Sequence, residues 1–106
     1  MKEELFQAKS FYQKYDATKL GRQPGPVELV LRRGHMGQFV IDIIQNLRTT
    51  TYCISSLTSV MSHPNRAHRF LITVDGEMGD KEFESRDSVK IVKQIREFMF
   101  KNIANP

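Results

Sequence analysis

Arg32, Arg33, Gly34, His35 and Gly37 fall in one short stretch, Arg-Arg-Gly-His-Met-Gly, just ahead of the apolar run Phe39-Val40-Ile41-Asp42-Ile43-Ile44. If that run is a helix, the stretch has the makings of a small-anion site. The first turn of a helix leaves backbone N–H groups unpaired, and its dipole presents a positive end to a negative ligand. Glycine admits a ligand close to the backbone, and arginine offers a two-pronged donor suited to carboxylate or phosphate. The same residues also serve a plainer purpose. Two closely spaced glycines permit a tight turn while both arginines stay in water.

Other candidate groups are weaker. His63 and His68 flank the turn around Pro64 and Asn65, and Cys53 could join them as a third metal ligand, but no compact Cys/His spacing accompanies them. Asp75, Glu77, Asp80, Glu82 and Glu84 form an acidic cluster whose spacing does not match a calcium-binding loop. Nucleophilic catalysis needs a nucleophile held by a base and an orienting group. Cys53 sits between Tyr52 and Ile54, where a small buried hydrophobe is the ordinary reading, and no Ser or Cys stands on a glycine elbow. No catalytic site, metal or cofactor is expected.

The elements that would position these groups follow from periodicity. Leu5, Ala8, Tyr12 and Tyr15, widened by Phe11, recur at spacings of three and four and predict a helix over residues 1–20. Gly21, Pro24, Gly25 and Pro26 break it, making 21–26 a linker. From Val27 the period becomes two, with Val27, Leu29 and Leu31 on one face, which predicts a strand. Phe39, Val40, Ile43, Ile44 and Leu47 fit one face of a second helix, with Asp42 on its wet side. The Thr- and Ser-rich stretch 49–61 and the segment 67–76 predict two strands joined as a hairpin through the turn around Pro64 and Asn65. Asp75 to Ser85 reads as a loop, and a final helix starts near Asp87 or Ser88. Its expected buried stripe is Val89, Val92, Ile95, Met99 and Ile103.

That order predicts an α+β fold in one domain, residues 1–106: a ferredoxin-like βαββα sandwich over 27–103, preceded by the N-terminal helix. Its antiparallel sheet has three strands. Residues 27–102 resemble an ACT domain in the strand ending Leu-Arg-Arg-Gly-His-Met-Gly, the following segment Gln-Phe-Val-Ile-Asp-Ile-Ile-Gln-Asn-Leu, and the strand-like run from Thr49. Gly37 takes the place of that family's glycine at the start of its first helix. The resemblance implies a small regulatory module that binds amino acids or similar ligands where subunits meet. The family's acidic residue and proline ahead of the glycine are absent.

Composition narrows the function. A net charge of +4, with 16 Lys and Arg against 12 Asp and Glu interspersed along the chain, permits an anionic partner without demanding one. No apolar run approaches the ~20 residues of a membrane span, so no membrane partner is expected. A lone cysteine and a charged N-terminal stretch fit a cytoplasmic protein. The expected function is a non-enzymatic regulatory or protein-interaction module. It would be a homodimer whose N-terminal helix helps to cover the open sheet, with a protein partner or a small anionic ligand at residues 32–37. A second reading is single-stranded RNA binding, with Tyr52 and Phe70 stacking on bases.

Overall fold

The computed structural model describes residues 13–104. Seven strands form one antiparallel sheet: β1 (Gln13–Lys19), β2 (Gly25–Arg33), β3 (Phe39–Gln45), β4 (Arg48–Cys53), β5 (Leu57–Ser62), β6 (Arg69–Val74) and β7 (Lys81–Glu84). A 3-10 turn, Ile54–Ser56, separates β4 from β5, and one helix, α1 (Ser88–Ala104), follows β7. The spatial order is β4-β3-β2-β1-β7-β6-β5, so β1 pairs with β7 and joins the two halves of the sheet. Alternate residues of both halves share one core with α1, including Leu29, Leu31, Ile41, Phe70, Ile72, Phe83, Ile91 and Ile95. This mostly β architecture replaces the expected ferredoxin-like βαββα sandwich, and the element order that carried the ACT resemblance is not the one formed.

Each departure has a local cause. Of the expected N-terminal helix, residues 13–19 are strand β1, while its first twelve residues lie outside the described part of the chain. In β1 the more buried positions are Tyr15, Ala17 and Lys19, an alternation of two that the nearby aromatic spacing obscures. The expected helix at 39–47 is strand β3. Its Val40, Ile41, Ile43 and Ile44 are β-branched, and branching at Cβ fits a pleated surface better than a helix. Asn46 and Leu47 then take positive φ values of 52° and 65°, the geometry of a two-residue hairpin turn between β3 and β4.

The run from Thr49 to Met61 is two strands rather than one, because the 3-10 turn with buried Ile54 divides it. The acidic loop contains a short strand, β7, whose charged sequence Lys-Glu-Phe-Glu hides one anchor: Phe83, fully buried against Phe70 with ring centroids 5.4 Å apart. Strand β2 and the β5–β6 hairpin form where periodicity placed them. The final helix starts at Ser88, but its buried face is Ile91, Val92, Ile95 and Phe98. Val89 is exposed instead. Ser85 ties this start to the sheet, its Oγ donating to the Asp16 carbonyl at 2.8 Å and accepting from the Asp87 N–H at 3.1 Å.

Candidate anion-binding site

The sequence-predicted ligand residues, 32–37, lie at the far end of β2, in and beside its turn into β3. No helix begins there, so the dipole and free first-turn donors on which that reading relied are absent. Three backbone donors of the turn are spent within it: Gly34 N–H donates to the Gln38 carbonyl at 2.7 Å, Gly37 N–H to the Gly34 carbonyl at 3.1 Å, and Met36 N–H to Gln38 Oε1 at 2.9 Å. Gly37 is needed for its φ of +84°, while a Cβ at Gly34 would meet the movable Gln38 amide at 2.7 Å.

Both arginines are engaged. Arg32 Nε and Nη2 hold Asp42 Oδ2 and Oδ1 at 2.7 and 3.1 Å, and Thr51 Oγ1 donates to Oδ1 at 2.6 Å. Arg33 Nη1 donates to the Gly37 carbonyl at 3.2 Å, and its guanidinium lies 4.7 Å from the Phe39 ring centre. His35 is exposed beside them. These contacts describe a braced turn.

The other candidates also find local partners. His63 Nδ1 accepts from the Asn65 N–H at 3.0 Å. Arg69 faces Glu82 at 3.3 Å and Glu84 at 3.9 Å within the β6–β7 pair, and Thr73 Oγ1 donates to Asp80 at 2.7 Å. Among the described residues no three His, Cys, Asp or Glu side chains are grouped to hold a metal ion. Phe70, one half of the imagined base-stacking pair, is sealed in the core.

A different cluster assembles at the opposite end of β2. A cleft of about 810 Å3 is lined by Lys19 at the end of β1, Arg22 and Gln23 in the β1–β2 turn, Arg48 at the start of β4, and Lys81 at the start of β7. Tyr52, Thr50, Gln45 and Asn46 contribute polar groups. Four cations line this cleft and no carboxylate does. Two turns shape it. Gln23 has a φ of 52°, and its carbonyl accepts from Gln45 Nε2 at 2.9 Å, tying the β1–β2 turn to β3. Lys19 Nζ donates to the Arg22 carbonyl at 2.6 Å.

The charges strain one another. Burial pushes the Lys19 ammonium below its ordinary value, and the positive charges of Lys81 and Arg22 push it further down. Lys81 is held above its ordinary value, chiefly by its hydrogen bond to Glu77, whose Oε1 lies 2.8 Å away just outside the cleft lining. Its ammonium also stands 5.7 Å from the centre of the Tyr52 ring. Sequence reasoning passed over this cluster because its cations come from separate segments. The one local sign was Lys19 and Arg22 flanking the break at Gly21, which reads as a linker.

No family model matches the sequence, and no curated protein sequence matches it. Among solved structures the chain is similar to Inner Membrane Complex (IMC) Sub-compartment Protein 3 (ISP3) from Toxoplasma gondii. The TM-score is 0.60 at 10% identity, covering 87% of this chain and 77% of that one. At that identity the likeness is one of fold.

Proposed function

We propose that this protein is a non-enzymatic interaction module that holds a small anionic ligand, bearing phosphate or carboxylate groups, in the cleft of Lys19, Arg22, Arg48 and Lys81. One observation carries the reading: four cations line a single cleft with no carboxylate among them. Arginine supplies paired donors to planar or tetrahedral oxyanions, and lysine adds point charge. A bound anion would also offset the burial and the neighbouring positive charges of Lys81 and Arg22 that depress Lys19. This reading places the ligand at the other end of β2 from the loop 32–37.

Isothermal titration of the full chain with inositol hexakisphosphate and with citrate tests this. Binding of either probe should weaken steeply with added salt, because screening acts within about 10 Å at 0.1 M. Replacing Lys19 and Arg48 with Gln should lower affinity about tenfold or more, each charge-assisted bond contributing about 1.5–3 kcal/mol. Silence of both probes at low salt would sink the reading. Sedimentation with phosphatidylserine–phosphatidylcholine vesicles separates a lipid headgroup from a free anion. That arm is motivated by Leu47, fully exposed between the cleft residues Asn46 and Arg48, and by the structural neighbour being a protein of an inner membrane complex.

A further inference from the structure

Val89 and Phe100 of α1 are 74% and 72% exposed, at opposite ends of the helix. About three turns, or 16 Å, separate them, so both fall on one face. Lys93 and Arg96 stand between them on that face, since the steps from Val89 to Phe100 are four, three and four. This face, with Val92 and with Ser62 of β5, walls a groove of about 710 Å3. The groove shares no lining residue with the cationic cleft. A cluster of exposed apolar side chains rimmed by polar ones marks a surface made for a partner.

We propose that this groove docks an acidic amphipathic helix of a partner protein. Its apolar side chains seat against Val89, Val92 and Phe100, and its carboxylates face Lys93 and Arg96. Two observations select that occupant. The first is the state of the sheet edge, since β5 is the last strand of the sheet. The His63 N–H donates to the Arg69 carbonyl across the β5–β6 pair, so alternation turns the backbone groups of Val60 and Ser62 outward. Arg96 Nε already holds the Val60 carbonyl at 3.0 Å. An added strand would need that acceptor, whereas a helix satisfies its own backbone and needs only the side chains of α1. The second is charge. Lys93, Arg96 and Lys101 line the groove against Glu97 alone. A second copy of α1 on this face would bring the Lys93 and Arg96 charges of both chains together, and like charges repel. An acidic helix meets the same charges favourably.

The experiment titrates the full chain into a dye-labelled, alanine-based helical peptide that carries a stripe of leucines flanked by glutamates. Binding is read by fluorescence anisotropy and by valine methyl shifts. The Val89 and Val92 methyls should move, while those of Val30 and Val40 should not. Phe100→Ser and Lys93→Glu, both at exposed positions, should each weaken binding about tenfold while melting stays that of the native chain. A version of the peptide with lysines for glutamates should bind Lys93→Glu better than it binds the native chain. The cleft variant with Lys19→Gln and Arg48→Gln should bind the glutamate peptide as the native chain does, which keeps this surface distinct from the anion cleft. Affinity of the glutamate peptide weaker than about 1 mM would overturn the proposal, as would equal affinity for the lysine peptide. A proline-interrupted peptide that bound as well would assign the groove to an extended segment and overturn the helix. Val89 and Val92 shifts that followed protein concentration alone, with a dimer in sedimentation, would give the face to a second copy.

Discussion

Arg32 grips Asp42 across the β2–β3 ladder through two hydrogen bonds of 2.7 and 3.1 Å, and Thr51 of β4 closes the third side at 2.6 Å. The Asp42 side chain is 9% exposed and that of Arg32 is 32% exposed, so the carboxylate is the member that depends on the pair. Removing one partner of a buried pair leaves the other uncompensated, at about 3–5 kcal/mol when both are sealed in. With Arg32 open to water, Asp42→Ala should cost about 2–3 kcal/mol in urea unfolding. Arg32→Met, which leaves the buried carboxylate without its cation, should cost at least as much, and the double variant should show strong non-additivity.

The same triad sets an acid limb. Burial pushes the Asp42 carboxyl up, but the hydrogen bonds from Arg32 and Thr51 and the Arg32 charge together hold it below its ordinary 3.8. A carboxyl depressed in the folded state stabilises the fold fully above its unfolded value, and that contribution is lost as pH falls through the folded value. Unfolding measured from pH 5 downward should therefore steepen below about pH 4 in the native chain. Asp42→Asn should flatten that limb. An unchanged limb would show that Asp42 does not control it.

Cleft cations should behave in the opposite way to Asp42. They repel one another, so Lys19→Gln should leave unfolding stability within about 0.5 kcal/mol, as surface changes usually do. Anion binding should suffer. Because the Lys19 ammonium is depressed in the free protein, a bound anion should raise its titration, and Nζ-detected NMR should record an upward shift on adding inositol hexakisphosphate. Affinity should then fall as pH climbs through the lysine range.

Phe83 tests the importance of β7. Its ring is fully buried against Phe70, in a four-residue strand that bridges β6 to β1. Phe83→Ala should cost about 3–5 kcal/mol, a large share of the 5–15 kcal/mol typical of a domain. Phe83→Leu should cost clearly less, and calorimetric melting of the two variants would rank them.

The Gly34 turn offers a paired test. A Cβ at position 34 would lie 2.7 Å from Gln38 Cδ and Nε2, so Gly34→Ala must displace that amide and lose its bond to Met36 N–H. A loss of about 1 kcal/mol is expected. In a Gln38→Ala background the same change should be close to neutral. Equal losses in both backgrounds would point to backbone strain.

The amino-acid sequence alone determined those parts of the fold whose inward and outward residues differ plainly in polarity. Val27, Leu29 and Leu31 mark β2, and Phe70, Ile72 and Val74 mark β6, because hydrophobic burial selects alternate positions in a strand. The last helix was also legible, since Ser88 begins it and its apolar residues far outnumber what a single strand could bury. Strand β3 was not legible. Both of its faces are buried, and Asp42 mimics the wet side of a helix until Arg32 and Thr51 are brought to it from neighbouring strands. Only tertiary structure decided the candidate site, for a related reason. The cleft's four cations come from separate segments, at 19, 22, 48 and 81, so no short stretch of the sequence concentrates them. Strand pairing gathers Lys19, Arg22, Arg48 and Lys81 at one end of the sheet. The energy of the paired strands and of the core holds them together against their own repulsion.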